Sequence, residues 1–100
     1  GDEKEIVIAR ELTKTFETIY RGSAMDVQEQ LTTQEKALRG EFVVLLAGAT
    51  VQLAGQDEEA VALLRVLLKE CSVKQSVQLA HNLLGMRKNK LYALALNLSE

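Results

Sequence analysis

The apolar residues of this 100-residue chain change their spacing near Gly55, and this change constrains the fold more than any other feature. Before Gly55 they occur in short unbroken runs, which are typical of β-strands. After Gly55 they recur every three or four residues, which is typical of helices that bury one face. The chain is therefore predicted to be α+β, with two to three strands and one short helix followed by a bundle of three helices.

The first half contains two unbroken apolar runs, at residues 6–9 and 42–47, which predict strands buried on both faces. Residues 16–20 predict a third strand, and the polar residues 32–39 predict a loop. So small a sheet cannot cover its own faces, and it needs further elements. The start GDEKE has neither Met nor a signal-peptide pattern, so we expect a chain cut from a longer one.

Two helix starts are predicted from residues that cap free backbone N–H groups. Ser23 is a predicted N-cap with Asp26 in the first turn, which places a short helix at residues 24–31. Asp57 is predicted to cap the first helix of the bundle, which reaches to about Glu70.

The next helix has predicted signals at both ends. Ser72 and Gln75 have the spacing of a capping box, and Gly85 is a typical residue just past a helix, so this helix spans residues 73–84. The last helix spans about residues 88–98. The tight turn at Gly85 predicts that these two helices form a helix-turn-helix arrangement.

Basic residues are concentrated near the C-terminus, although the net charge of the chain is −2. No Asp or Glu occurs from Cys71 to Ser99. A helix-turn-helix presents the start of its last helix to phosphates, so this segment is predicted to contact nucleic acid. The alternative is a structural bundle with a solvated charged rim. Four phosphate contacts would give a slope of roughly −3 in log K against log salt. The predicted contact residues are Lys74, Arg87, Lys88, Asn89 and Lys90.

Cys71 and His81 are weaker candidates for chemistry. Cys71 has no second thiol with which to form a disulfide, as is usual in a reducing cytoplasm, and it is interpreted as an apolar filler. His81 has no metal-ligand spacing and is interpreted as a surface or edge histidine, so no metal site is predicted. The 47% apolar content excludes a disordered tail, and the apolar runs are too short to span a membrane.

Ionisable residues also cluster at the end of the first predicted strand. Arg10, Glu11, Thr13 and Lys14 follow one another closely there, with Glu17 just beyond them. Ligands of open α/β sheets bind at the C-terminal ends of strands, which makes this cluster a candidate lining for a cleft. The alternative is a strand end held by surface ion pairs, which are common.

Three segments resemble the C-terminal part of the ribosomal RNA small-subunit methyltransferase I family, in the tetrapyrrole-methylase superfamily. They read IVIARELTKTFETIYRG, LRGEFVVLLAGA and SVKQSVQLAHNLLGMRKNKLYALAL, and ARELTK with the following FE and RG is the most specific element. The resemblance implies that residues 1–55 are the end of a methylase α/β lobe. It implies that residues 56–100 are a helix-turn-helix-like domain that docks on RNA. The family's first lobe, with its glycine-rich cofactor loops, has no counterpart in this sequence.

The resemblance also implies an activity for the longer parent protein. Members of this family transfer a methyl group from S-adenosylmethionine to the ribose 2′-hydroxyl of a cytidine in the decoding region of 16S rRNA, in the small ribosomal subunit. The cofactor lies between two lobes, so this chain would supply one wall and would be inactive alone. Matching the motif makes Arg10, Glu11, Leu12 and Thr13 candidate cofactor contacts, and Glu11 and Lys14 candidate catalytic residues.

Two classes of function therefore remain open. In the first, the chain is the C-terminal piece of such an enzyme, and its strands join a larger sheet. In the second, it is a stand-alone helix-turn-helix module that binds nucleic acid or a protein without catalysis, and its strands pair with a second copy. In both classes we expect a homodimer or another partner, because open sheet edges promote association.

Overall fold

The computed structural model of the chain describes residues 5–12, 15–33 and 41–99, with the backbone alone at residues 11, 12 and 15–17. Within these residues a four-stranded antiparallel sheet precedes a helical region, which confirms the predicted α+β class. The predicted loop at residues 32–39 lies mostly outside them. The elements in chain order are β1 (Ile6–Leu12), β2 (Thr15–Gly22), α1 (Ala24–Thr32), β3 (Phe42–Leu46), β4 (Ala49–Leu53), α2 (Ala60–Leu67), α3 (Val73–Leu84) and α4 (Lys88–Ser99).

The sheet has the strand order β2-β1-β3-β4 and buries one of its faces. Ile8 in β1 lies opposite Tyr20 in β2 and Val44 in β3, and all three side chains are buried. The prediction that the strands are buried on both faces is wrong. The side chains between the buried ones lie on the outer face of the sheet, where Leu45 is 40% exposed. Antiparallel sheets commonly leave one face open in this way, whereas buried parallel sheets do not.

The hairpin of β3 and β4 also differs from the prediction. The apolar run ends as a strand at Leu46, because Ala47 and Gly48 have positive φ angles of 53° and 84° and form a two-residue turn. Such turns match the twist of the strands that they join. The returning strand β4 was not predicted. Its residues are alternately half-buried and exposed up to Leu53, which is the one buried residue of the strand, so β4 contains no apolar run. The third predicted strand is present and is longer, as β2.

Helix α1 begins as predicted. The Ser23 hydroxyl accepts a hydrogen bond from the Asp26 N–H at 3.2 Å, and the Asp26 carboxylate accepts one from the Ser23 N–H at 3.1 Å. This reciprocal capping box satisfies two backbone N–H groups that the helix itself cannot pair. The helix ends at Thr32, one residue beyond the predicted end.

The prediction that Asp57 caps the first helix of the bundle is wrong. A 3-10 turn (Asp57–Glu59) precedes α2, and the Glu59 carboxylate accepts hydrogen bonds from the N–H groups of Ala54 and Gln56, both at 2.9 Å. These hydrogen bonds lower the pKa of Glu59 below its ordinary value. Helix α2 is shorter than predicted, since it ends at Leu67 and residues 68–70 form a turn.

One hydrophobic core joins the two halves of the chain. Helix α1 packs against β2 and α3, while α4 packs against α2 and α3. The division between residues 55 and 56 stays a prediction, and the α1–α3 contact crosses it. No helix among the described residues is long and apolar enough to cross a membrane. The largest fully buried side chains are those of Phe42, Ile6, Ile8, Leu31, Leu46, Leu63, Leu64, Leu67, Leu79, Leu83 and Leu84.

Candidate nucleic-acid interface

The turn between α3 and α4 is short and is closed by backbone hydrogen bonds. Helix α3 begins at the predicted capping box, in which Ser72 Oγ accepts the Gln75 N–H at 3.1 Å. Beyond its last residue, Gly85 adopts φ 78° and ψ 8° and donates its N–H to the carbonyl oxygen of His81 at 2.9 Å. A residue with a Cβ is strained in this left-handed region, which explains why glycine ends the helix. The predicted bounds of this helix are confirmed.

His81 braces the same turn with its side chain. Its Nδ1 lies 2.7 Å from the carbonyl oxygen of Met86, so Nδ1 carries the hydrogen and donates it. The Met86 side chain is itself only 8% exposed, which anchors the turn in the core. The prediction of an edge position for His81 agrees with its half-buried ring. It did not include this bond, because the partner is a backbone atom that sequence does not place.

Four residues at the start of α4 form an exposed patch, here called the basic cluster. The carbonyl oxygen of Arg87 accepts the N–H of Leu91 at 3.2 Å, so Arg87 caps the first turn and the N–H groups that follow it have no partner within the helix. No acidic residue lies in that turn, and among the described residues no member of the patch forms an ion pair. Free N–H groups, the positive end of the helix dipole and three cations together favour phosphate. The basic cluster consists of Arg87, Lys88, Asn89 and Lys90, all exposed.

Lys74 lies at the other end of the helical bundle. It is exposed in the first turn of α3, and a helix rises about 1.5 Å per residue, so it is separated from the basic cluster by ~15 Å along the α3 axis. At that end Arg65 and Lys69 line an open groove of about 450 Å³, together with Leu98. The structure therefore brings residues 87–90 together and keeps Lys74 apart from them.

The second predicted site lies at the end of β1. Arg10 is half-buried, and its backbone lies opposite Thr18 in β2 and Phe42 in β3. The pairing of β1 with β2 becomes irregular between Arg10 and Leu12, where Glu11 of β1 lies across from two residues of β2, Phe16 and Glu17, so the extra residue belongs to β2. Bulges redirect side chains and are frequent beside active sites. The backbone geometry is thus compatible with a site at this strand end.

The roles predicted for this strand end stay predictions. Thr13 and Lys14 lie outside the described residues, and the structure describes Glu11 and Leu12 by their backbone alone. The rule that ligands bind at strand C-termini applies to parallel sheets, and this sheet is antiparallel, so the rule no longer supports the site. Strand β1 packs against β2, β3 and α1, whereas α4 packs against α2 and α3, so the two candidate sites lie on different elements.

Tyr92 is an exposed candidate that the sequence did not single out. It follows Lys88 by four residues and Asn89 by three, and this spacing puts all three side chains on neighbouring parts of one helix face. Its side chain is 36% exposed. The one-turn spacing from the basic cluster was visible in the sequence. That the ring is exposed, while Leu91 beside it is buried, follows from how α4 packs on α2 and α3.

Among the residues that the structure describes, neither a reactive cysteine nor a metal-binding group of side chains is found. Cys71 is buried, and burial together with the charge of Glu70 raises the pKa of its thiol to about 11. A thiol in this state is a poor nucleophile, which fits the predicted role of an apolar filler. Among the same residues no group of three or more His, Cys, Asp or Glu side chains is placed to hold a metal ion.

Comparison with known proteins relates this arrangement to one family. Residues 54–99 match the family model described as the RsmI C-terminal HTH domain. This segment contains α2, α3, the turn braced by His81 and the basic cluster. No solved structure matches the chain at a significant level.

Several curated relatives match nearly the whole chain, and each is named "Ribosomal RNA small subunit methyltransferase I". The Pseudomonas aeruginosa protein is 39% identical over 99 residues, which is 96% of this chain and 35% of that protein. The protein of Neisseria meningitidis serogroup B is 36% identical over 96 residues, 95% of this chain and 33% of that protein. The Vibrio cholerae protein is 36% identical over 104 residues, 100% of this chain and 35% of that protein. The chain thus spans about a third of the length of these relatives.

Proposed function

We propose that the chain is the C-terminal part of a protein of the ribosomal RNA small subunit methyltransferase I family, and that this parent protein methylates the RNA of the small ribosomal subunit. In this proposal residues 1–55 close the methylase lobe and residues 56–100 dock on the RNA. The observation that carries the docking role is the basic cluster, which is exposed and lies within the segment matched by the family model.

The basic cluster is suited to positioning the protein on an RNA backbone. Its three cations would give a slope of roughly −2 to −3 in log K against log salt, at about 0.7 to 0.9 per phosphate contact. Binding of that strength is weak, so the domain would assist the parent's hold on RNA. Asn89 is the one neutral amide in the cluster, and phosphate contacts by its neighbours carry no sequence information. The choice of nucleotide would then come from the methylase lobes.

We propose S-adenosylmethionine as the methyl donor and the ribose 2′-hydroxyl of a decoding-region cytidine as the acceptor. When bound, this cofactor supplies an electrophilic methyl group. Neither Gly22 nor Gly48 marks a space that a bound cofactor would fill: the position of a Cβ at Gly22 lies 2.7 Å from Asp26, and nothing lies within 4 Å of that position at Gly48. The chain is proposed to supply one wall of the site and to be inactive alone.

The part of the chain proposed to line the cofactor site is the end of β1. We assign Arg10, Glu11, Leu12 and Thr13 to the lining of the cofactor cleft, and Glu11 or Lys14 to catalysis. A 2′-hydroxyl is a weak nucleophile at neutral pH, so it needs alignment and a proton acceptor. The irregular strand pairing beside Glu11 supports this assignment, because such irregularities are frequent next to active sites.

We propose that the outer face of the sheet is covered in the parent protein, which we expect to be a cytoplasmic homodimer. Ile19 and Leu45 on this face are 56% and 40% exposed. Half-buried Ala9 lies opposite Ile19, and Val7 lies opposite Leu45, so these residues form a continuous apolar surface across three strands. Such a surface favours association, and a monomeric parent with this face in water would contradict the proposal.

The docking proposal is tested by reversing charge in the parent protein encoded by the complete gene. Arg87→Glu with Lys88→Glu should weaken binding to small-subunit RNA, and it should reduce the salt slope by about 1.4 to 1.8, because two phosphate contacts are lost. The affinity for S-adenosylmethionine, measured by calorimetry, should stay unchanged. An equal loss of both affinities would mean that the substitutions damage folding and would refute the docking role.

A matched control makes the same change of charge at the other end of the bundle. Arg65 and Lys69 are both exposed, and neither belongs to the basic cluster. Arg65→Glu with Lys69→Glu should leave RNA affinity closer to that of the unmodified protein. If the two double variants lose RNA affinity equally, binding follows net charge, and the basic cluster has no special role.

A further inference from the structure

The outward face of α4 carries an exposed apolar surface that begins where the basic cluster ends. Leu91 and Ala95 are fully buried against the rest of the bundle. Tyr92 and Leu96, one residue beyond each of them, are 36% and 54% exposed. Residues four apart lie on one side of a helix, so Lys88, Tyr92 and Leu96 form a single line along the surface. A contact with phosphates alone does not need the aromatic ring in this line.

An exposed aromatic ring beside cations is suited to one form of RNA. In an A-form duplex the faces of the bases are stacked on one another and cannot reach a protein ring, whereas unpaired nucleotides can stack on an aromatic side chain. Building on the proposed docking function, we propose that α4 binds an unpaired segment of RNA, with one base stacked on Tyr92 and a neighbouring phosphate held by Lys88.

The dimensions and charge of the helix support this occupant over a protein partner. Lys88 and Tyr92 are separated by about 6 Å along the helix axis, a single step between neighbouring nucleotides in an extended strand. The segment from Cys71 to Ser99 contains no acidic residue to repel a polyanion. The exposed apolar residues form a narrow line on one helix, which offers little area to a folded protein but enough for one or two bases.

Binding of the parent protein to labelled RNA tests the proposal, and the 100-residue chain is measured beside it. The probes are a short oligouridylate and an RNA duplex of the same length, with affinity measured by fluorescence anisotropy at two salt concentrations. Tyr92→Ala should weaken oligouridylate binding roughly 5- to 150-fold, the effect of losing one stacked base, and should leave the salt slope unchanged. Tyr92→Phe keeps the ring and should bind like the unmodified chain. Duplex binding should be weak and insensitive to both substitutions.

Met25→Ala is the matched control for removing an exposed apolar side chain. Met25 is 71% exposed on α1, which does not belong to the segment matched by the family model. This substitution should not change the affinity for oligouridylate. Circular dichroism of each variant separates a loss of binding from a loss of folding.

The intrinsic fluorescence of the chain gives a second, direct readout. The sequence contains no Trp and two Tyr, and Tyr20 is only 5% exposed. Stacking of a base on Tyr92 should therefore quench the tyrosine emission of the unmodified chain. The Tyr92→Phe variant should bind oligouridylate equally well without this quenching, because its remaining tyrosine is buried.

The outcomes separate this inference from the function on which it rests. If charge reversal in the basic cluster abolishes RNA binding while Tyr92→Ala leaves it unchanged, docking stands and stacking is refuted. If Tyr92→Ala weakens duplex and oligouridylate binding equally, selection of unpaired RNA is refuted. If the unmodified parent protein binds neither RNA, both the docking role and this inference are wrong.

Discussion

Replacing Gly85 with alanine tests whether the turn between α3 and α4 positions the basic cluster. Gly85 has φ 78° and ψ 8°. A residue with a Cβ pays about 1 to 2 kcal/mol in this left-handed region. Alanine also restricts the unfolded chain, which offsets about 0.4 to 1 kcal/mol of that cost. Gly85→Ala should therefore lower the free energy of unfolding by about 1 kcal/mol. Gly85→Asn should lower it less, because asparagine adopts this conformation more readily.

The assay is urea unfolding followed by circular dichroism. At a slope of about 1 to 3 kcal/mol per molar urea, the midpoint of Gly85→Ala should fall by roughly 0.3 to 1 M. In the folded protein, relief of the strain moves the start of α4, so oligouridylate binding should also weaken. Equal stability of Gly85→Ala and the unmodified chain would refute the strain argument, as would a larger loss for asparagine than for alanine.

Gly48→Ala is the matched control for this experiment. Gly48 has φ 84°, and nothing lies within 4 Å of the Cβ that alanine would add. Its substitution should cost a similar amount of stability through backbone strain alone. Because Gly48 lies in the β3–β4 hairpin, the RNA affinity of the folded protein should not change. If Gly48→Ala weakens RNA binding as much as Gly85→Ala does, the effect is one of global stability and not of the turn.

Three further predictions follow from the remaining contacts. The folded state lowers the pKa of Glu59, so its carboxylate stabilises the fold above the unfolded pKa, and this contribution is lost as the pH falls below about 4. The urea midpoint of Glu59→Gln should accordingly lie below that of the unmodified chain at pH 7 and approach it at pH 3; a constant difference would contradict this. Alkylation of Cys71 by iodoacetamide near neutral pH should be on the order of 100-fold slower than that of a free thiol, because its thiol pKa is raised to about 11, and unfolding in urea should restore the rate. Equal rates in the folded and unfolded states would show that the thiol is accessible and ionised. In the parent protein, Glu11→Ala and Lys14→Ala should reduce methylation of small-subunit RNA without changing the unfolding midpoint, and normal methylation by both variants would remove this strand end from the site.

Some features of the sheet and of the basic residues could not be predicted from local sequence patterns. The strands at residues 6–9 and 42–47 were expected to be buried on both faces, yet Leu45 points outward and the sheet buries one face only. Strand β4 was not predicted because it has no apolar run of its own and is held in place by pairing with β3. Lys74 and the basic cluster share one stretch of sequence without acidic residues, and the length of α3 keeps them apart. The open face of the sheet and the position of β4 depend on contacts between segments distant in sequence.

The sequence by itself determined where α1 and α3 begin and where α3 ends. The capping boxes at Ser23 and Ser72 and the glycine after α3 act within four residues, so their chemistry is complete in the local sequence. The family resemblance likewise depended on short motifs that remain readable without a fold. Tertiary structure alone decided the contact of α1 with α3, the bond from His81 to the Met86 carbonyl, and the exposure of Tyr92 beside the basic cluster. Burial is a property of the assembled core, and it decides which of two equally spaced side chains faces the solvent.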